Sequence, residues 1–268
     1  MEKIGVYLLI RDDPYTLEEL FGSLPRQSET RFEMIGIHKP GLSHPSTKIV
    51  KKKLKEIHVV EDENAGALLN SLVSSRNDDV IVVLDCAFIP SNQVWLSRLV
   101  SYLGQGDAEI VIGRIAHDIY TNWLIQNDFK TEQNLTYRDA ISPFYFQFGN
   151  FAVTKEVIRR NPFPEGNFDE FALRWILSNP GKVRFVADAV VTYLDHITVD
   201  AFVEAYRNYS REAHGHGVPV GAGLNLFFRG IYRDARLSLN KNAPQWIFFS
   251  LYFRLRQAAG FLFAGRKG

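Results

Sequence analysis

The feature that most narrows the possible folds is the alternation of short aliphatic runs with amphipathic ones over the first two thirds of the chain. "KIGVYLLIR", "RFEMIGIHK", "EIHVVED", "DVIVVLD" and "AEIVIGRI" have strand length and are rich in Val, Ile and Leu. Between them lie "PYTLEELFGSL", "NAGALLNSLVSSR" and "SNQVWLSRLVSYL", where apolar residues recur at helical spacing. A strand with no polar alternation must be covered on both faces, and crossover helices supply that cover. The order predicts an α/β fold, a mostly parallel twisted sheet flanked by helices. Thr16, with Glu19 three residues later, predicts a capping box at the start of the first helix. The stretch 40–55, "PGLSHPSTKIVKKKLK", is rich in Pro, Ser and Lys and predicts an exposed connection.

After Ile115 the periodicity loosens into an aromatic, polar stretch that ends in "SPFYFQFGN", the kind of irregular segment that carries substrate contacts. "TKEVIRRN" and "FDEFALRWILSNPG" then predict helices, the second stopped by Pro180 and Gly181, and "KVRFVADAVVTYL" predicts a strand. A chain of 268 residues with 46% hydrophobic content suits one large α/β domain with a helical appendage and excludes the disordered classes. Cys86 is the only cysteine, so no intramolecular disulfide can form, in keeping with a reducing cytosol. The apolar run at the N-terminus is too short for a signal peptide and predicts a first strand.

The net charge of +1 hides an asymmetry. From Tyr206 to Gly268 there are ten Lys or Arg against Glu212 and Asp234, a net of +8 that leaves −7 for the rest. The predicted division is therefore 1–205 for the α/β domain and 206–268 for a basic, aromatic C-terminal helical tail. "WIFFSLYFRLRQAAGFLFAG" is long enough to suggest a membrane span, but Arg254, Arg256 and Gln257 sit in its middle. An interfacial helix fits better. Arg229, Arg233, Arg236, Arg254 and Arg256, at about 1 kcal/mol each near an anionic leaflet, would hold the tail there reversibly. The alternative is a tail packed on the core with its arginines as a solvated rim. The expected location is cytoplasmic, peripheral at the inner face of the membrane, with no nucleic-acid partner.

In open α/β sheets ligands bind beyond the carboxyl ends of the strands, and acids fall there. Asp12 and Asp13 follow the first strand, Asp85 ends "VIVVLD", and Asp169 with Glu170 opens the "FALRW" helix. Asp85 is a candidate metal or ribose ligand, or simply an acid that bonds local amides at the start of a loop. Asp169 or Glu170 is a candidate general base, or an acid favoured by the helix dipole.

The pieces, taken in order, resemble the family 2 glycosyltransferases, inverting enzymes with the GT-A fold, over roughly the first 210 residues. "IGVYLLIRDDPYTLEELFGSLPRQS" is similar to the family's opening strand and helix. "ENAGALLNSLVSSRNDDVIVVLD" matches its next segment at Asn64, Gly66 and Asp85, and "IPSNQVWLSRLVSYL" matches at Pro90, Trp95 and Leu96. "FGNFAVTKEVIRRNPFPEGNFDEFALRW" resembles the acceptor segment, and "GKVRFVADAVVTYLDH" the closing strand with its late histidine, His196.

The resemblance implies a nucleotide-sugar donor and a glycan or lipid-linked acceptor. It implies Glu170 or Asp169 as base, and a donor site with Asp85, Arg11, Asp12, Asn64, Gly66 and Lys39. Gly149, Asn150 and Trp175 would stand on the acceptor side. Where the family carries Asp-x-Asp this chain has "DCA", so Ala87 stands in the second position, and His38 and Lys39 stand where an acid normally reads the base. Two outcomes are open. Either Mg2+ or Mn2+ is held by Asp85, His196 and the donor diphosphate, the favoured expectation, or cationic groups such as Lys39, Arg11 or Arg114 stabilise the leaving phosphate. His214 and His216 form only a weak His-x-His signal. The rival readings are a non-catalytic GT-A-like scaffold protein and a nucleotidyltransferase, the latter disfavoured because "IRDDPY" offers no glycine for a phosphate loop.

Overall fold

Ile4–Ile10 forms β1, and all seven of its residues are buried. It lies between two parallel neighbours, β2 (Phe32–His38) and β4 (Val80–Asp85), with Tyr7 opposite both Ile35 and Val83. Even-numbered residues of β1 and β4 point into one core and odd-numbered ones into another. Val6, Leu8, Val82 and Leu84 pack with α1 (Pro14–Ser23) and α4 (Trp95–Ser101), while Tyr7, Leu9, Ile81 and Val83 pack with α3 (Ala65–Ser75) and α5 (Lys155–Arg160). Two covered faces explain why neither strand carries a polar alternation.

The computed structural model describes residues 2–61, 64–103, 108–117, 123–127, 149–165, 175, 183–194, 200, 203, 204, 207 and 221–263. Within these, β3 (Glu56–Val59), β5 (Phe88–Pro90), β6 (Ile110–His117), β7 (Asn150–Thr154) and β8 (Val183–Tyr193) complete an eight-stranded sheet in the order β3-β2-β1-β4-β7-β6-β8-β5. The sheet is mixed: β7 runs antiparallel to both β4 and β6, and β5 antiparallel to β8, while the other four pairings are parallel.

Two local expectations are corrected. The first helix is capped by Asp13, whose side chain accepts from the Tyr15 and Thr16 amides, with Pro14 at its first position. Thr16 donates its hydroxyl to that same carboxylate, so it supports the cap without being it. The stretch expected to be an exposed connection contains α2 (His44–Lys53), which buries Ser46 and Val50.

The opposite end of the sheet is pinned by a charge network around Asp78, which is 1% exposed. Its Oδ2 accepts from the Tyr7 hydroxyl at 3.0 Å and from Arg76 Nε at 2.7 Å, and Arg76 also pairs with Glu33 and Glu56. A Cβ on Gly5 would lie 2.6 Å from Asp78 Oδ2, so only glycine lets this carboxylate reach the end of β1. Burial first, and then the negative charge of Asp78, push the Tyr7 hydroxyl well above the ordinary tyrosine value.

The chain divides into two compact units, Met1–Ile119 with Leu135–Arg138 and Phe146–Asp195, and Tyr120–Asn134 with Asp139–Tyr145 and His196–Gly268. Within the second, α6 (Gly221–Asn240) and α7 (Trp246–Phe263) form a hairpin through a turn at Asn242, whose φ is 53°. Asp234 of α6 is fully buried and accepts from Ser250 Oγ at 2.6 Å and from Arg254 Nε and Nη2 at 2.8 and 3.1 Å. Arg254 Nη1 continues to Gln257 Oε1 at 2.8 Å, and a Cβ on Gly230 would strike the guanidinium at 2.6 Å. Of the arginines expected to face lipid, then, Arg254 is inside the hairpin, Arg256 pairs with Asp200, and Arg233 lies 3.6 Å from Asp234. No helix among the described residues is long and apolar enough to cross a membrane.

Tyr7 gives a pH test. Because its folded pKa is raised, its contribution is complete below the unfolded value of about 10 and is lost as pH rises above it. Tyr7→Phe should cost about 1 kcal/mol at neutral pH. That deficit should shrink by about 1.4 kcal/mol per pH unit above pH ~10 and then reverse, as read from urea midpoints of the two proteins. A deficit that stays constant to pH ~11 would contradict the burial account.

Candidate functional site

In the order β3-β2-β1-β4, the chain leaves β1 for a neighbour on one side and later returns to its other side. The switch point therefore falls between the carboxyl ends of β1 and β4, where the loops diverge and leave a crevice. A cleft of about 200 Å3 opens there. Arg11, Asp12 and Asp13 line it from the end of β1, Thr16 and Leu17 from α1, and Cys86 and Ala87 from the end of β4.

The central contact is between Arg11 and Asp85. Register places Leu9 opposite Asp85, so a residue two further along β1 can reach back over the carboxylate. Arg11 Nε donates to Oδ1 at 2.8 Å and to Oδ2 at 3.1 Å, and Nη2 donates to Oδ2 at 2.6 Å. The Ala87 amide donates to Oδ1 at 2.9 Å. The carboxylate is nearly buried, while the Arg11 side chain is half exposed toward the crevice. A fork on a buried carboxylate is the geometry in which Arg loses least freedom per bond.

The other two acids serve helix starts. Asp13 caps α1. Asp12 accepts from the Ser43 hydroxyl at 2.6 Å and the Ser43 amide at 3.1 Å, at the N-terminus of α2. The hydroxyls of Ser43 and Ser46 hold the Asp12 carboxyl below the usual carboxylate range. The Cys86 thiol is fully buried and pushed up by burial and then by Asp85, so it stays protonated and acts as packing.

Gly149, expected on the acceptor side, lies directly under Asp85. Its φ is +110°, its carbonyl accepts from the Asp85 amide at 2.8 Å, and a Cβ there would stand 2.5 Å from Asp85 Cβ. Asn150 and Trp175, placed on that same side by sequence, have buried side chains. Asn150 Oδ1 accepts from Trp95 Nε1 at 2.9 Å and its Nδ2 donates to Arg114 O at 3.4 Å. Trp175 donates to Asn161 O at 2.7 Å and packs on Phe163 with ring centroids 4.6 Å apart. Gly66 admits the backbone at Pro164, whose carbonyl would lie 2.1 Å from a Cβ, and Asn64 stands at the N-terminus of the same helix. Lys39 is exposed just after β2. Asp169, Glu170 and His196 lie outside the described residues. Asp13 and Gly149, like Asp12, Asn150 and Trp175, have structural roles that sequence reasoning missed. The Asp-Pro dipeptide at 13–14 is a readable signal for the first, and nothing in the sequence marks the second.

A divalent ion needs several oxygen ligands turned toward it. Both oxygens of Asp85 accept from Arg11, Ala87 offers none, and Asp12 and Asp13 are engaged with helix amides and hydroxyls. Among the described residues no group of three or more His, Cys, Asp or Glu could hold a metal ion. In the arrangement present the Asp85 carboxylate is turned to Arg11, and its other expected protein ligand, His196, lies outside the described residues.

No protein-family model and no curated protein matches the chain in sequence. Solved structures do match in three dimensions. The mannosyltransferase PcManGT from Pyrobaculum calidifontis, in complex with GDP-Man and Mn2+, aligns over 99% of this chain and 88% of its own, with a TM-score of 0.63 at 12% identity. Glucosyl-3-phosphoglycerate synthase from Mycobacterium tuberculosis, in complex with phosphoglyceric acid, aligns over 81% of each chain at TM-score 0.57 and 15% identity. Residues 1–349 of S. aureus TarS, in complex with UDP-GlcNAc, align over 98% of this chain and 90% of that one at TM-score 0.57 and 12% identity. The chain has a GT-A-like fold. A likeness at such identities establishes the shared fold, and the GT-A-like sheet puts the crevice between β1 and β4 at its switch point.

Gly149→Ala should show how tightly the crevice is set. A methyl at φ +110° and against Asp85 Cβ should cost at least about 2 kcal/mol and displace the Arg11–Asp85 pair. Arg11→Ala, which leaves the Asp85 carboxylate with the Ala87 amide in place of the fork, should cost about 1–2 kcal/mol. Denaturant midpoints of both variants check this, and a Gly149→Ala protein as stable as wild type would mean the backbone is not fixed as described.

Proposed function

We propose that the protein transfers a sugar from a nucleotide-sugar donor to an acceptor hydroxyl with inversion. The observation that carries this reading is the crevice at the switch point of a GT-A-like sheet, with a guanidinium held on a buried carboxylate at its wall. Arg11, fixed in this way, would meet the donor diphosphate with no loss of side-chain freedom at the moment of reaction. Lys39, after β2, and Arg114 of β6 are the further cations proposed to face the phosphates. Asn64 and Gly66 support the donor side by setting the start of α3.

In the proposed reaction Glu170, or Asp169 beside it, accepts the proton of the acceptor hydroxyl. The acceptor oxygen forms its bond to the anomeric carbon as the bond from that carbon to the phosphate oxygen breaks, and the nucleoside diphosphate departs with the electron pair. The proposed acceptor is a glycan or lipid-linked acceptor in glycan, polysaccharide or glycolipid synthesis, met at the cytoplasmic side of a membrane that the tail touches peripherally. The neighbours' complexes with Mn2+ concern those proteins. Here Mg2+ or Mn2+ enters no step, because the oxygens of Asp85 are turned to Arg11. A second reading, a GT-A-like binding or scaffold protein, is favoured by the same pairing together with Ala87, since a closed ion pair can be purely structural.

Thermal-shift measurements with nucleoside diphosphates and nucleotide sugars, each with and without Mn2+, separate these readings. A ligand at about a hundredfold its Kd should raise Tm by about 5 °C or more without added metal. A rise that needs Mn2+ would return Asp85 to the role of ligand, and no rise with any nucleotide would favour the scaffold. For the transfer itself, Glu170→Gln should keep the Tm response while lowering turnover at least about a hundredfold. Full turnover in that variant would remove Glu170 from the role of base.

A further inference from the structure

The α6–α7 hairpin encloses a polar network between its helices and turns a row of large apolar side chains outward. Asp234, Ser250, Arg254 and Gln257 are all at most 2% exposed and bonded to one another between the helices. On the outer side of α7, Phe248, Leu251, Tyr252 and Leu255 are exposed, Phe248 to 79%. Their spacing of three, four and seven puts them on one face. On α6, Phe228 and Tyr232 are 67% and 71% exposed, and Leu239 continues the same face. Exposed apolar surface this continuous marks a contact with something other than water.

Charge identifies the contact. Between 221 and 263 the only acid is Asp234, and it is enclosed in the hairpin, whereas Arg229, Arg236 and Lys241 are exposed beside the apolar face. A second copy of the chain laid on this face would oppose those bases to one another. An anionic surface neutralises them, and a bilayer of acidic phospholipid also accepts Phe, Tyr and Leu at the depth of its headgroups. We infer that the hairpin lies flat on an anionic phospholipid bilayer, with Phe248, Leu251, Tyr252 and Leu255 of α7 and Phe228 and Tyr232 of α6 in the headgroup layer. Attachment on this geometry is mainly apolar, with Arg229, Arg236 and Lys241 as the electrostatic flank, because Arg254 is withdrawn into the hairpin. This deepens the membrane contact of the proposed function and stands apart from the transfer reaction.

The test is sedimentation of the full chain with vesicles of phosphatidylcholine alone or mixed with phosphatidylglycerol. The wild-type protein should sediment with the mixed vesicles and be released only in part by salt. Phe248→Glu with Leu255→Glu should weaken binding at least about tenfold, and Arg229→Glu with Arg236→Glu should remove most of the preference for phosphatidylglycerol. Phe248→Trp, a nearly isosteric exposed change, should shift its fluorescence to the blue on addition of mixed vesicles, which reports burial in lipid without a disruptive variant. The inference falls if the wild-type protein stays in the supernatant with both vesicles, or if the double glutamate variant binds as tightly as wild type. It falls equally if light scattering shows a dimer that this variant splits while no vesicle is bound, which would assign the face to a second copy. The Tm response to nucleotides is independent of all these outcomes, so failure here leaves the transferase reading where its own test puts it.

Discussion

β1 has no open side. It is bonded along both edges to parallel neighbours and covered on both faces by helices, and this enclosure dictates how charge is arranged at its carboxyl end. A strand so enclosed can deliver charge only where it ends, and "RDD" comes at that point. Since β2 and β4 leave on opposite sides, the three polar residues after β1 divide their partners between the two. Asp12 turns to Ser43 before α2, which succeeds β2 in the chain, while Arg11 turns to Asp85 at the end of β4. Asp13 begins the helix that carries the chain away. Sheet order thus distributes the charges before any ligand is considered.

The core of this arrangement is legible in the sequence because it is local. Runs such as "VIVVLD" reveal doubly covered strands by the lack of a polar period, as in β1 and β4, while β2, β3, β6 and β8 can be placed from strand-length runs rich in Val and Ile. The parts that escape are those whose evidence is distant or weak. β5 is three residues long, and β7 comes after a stretch whose periodicity is poor, so the antiparallel insertion between β4 and β6 leaves no trace that reading can use. α2 escapes because Pro, Ser and four lysines resemble a loop, and its buried stripe is only Ser46 and Val50. Pro45 lies in the first turn, where a missing amide costs nothing.

The site divides in the same way. The position of Asp85 at a strand end is readable from the strand alone, but its partner depends on β1 lying next to β4, 74 residues away in sequence. Asn150 shows the opposite case, a polar residue in a motif that suggests acceptor contact, whose side chain satisfies the buried Trp95 indole in the core. Gly149 beside it has a reason that only geometry supplies. The backbone there must approach Asp85 closely enough to accept its amide, at a φ that a side chain would strain.

In the second unit, too, a distant partner overturns the local reading. In sequence, an arginine in the middle of an apolar helix reads as a surface charge, and five such arginines read as an electrostatic anchor. The pairing of Arg254 with Asp234, 20 residues away across a turn, reverses that reading for the most central of them. Once a guanidinium, a carboxylate, a hydroxyl and an amide are enclosed between two helices, each satisfies the others and no longer requires water. On α7 the face left outside is then the apolar one, while on α6 Arg229 and Arg236 stay exposed. The polar network inside and the aromatic face outside are thus a single structural consequence, because α7 cannot turn Arg254, Ser250 and Gln257 toward Asp234 without presenting Phe248, Leu251, Tyr252 and Leu255 to whatever surrounds the protein.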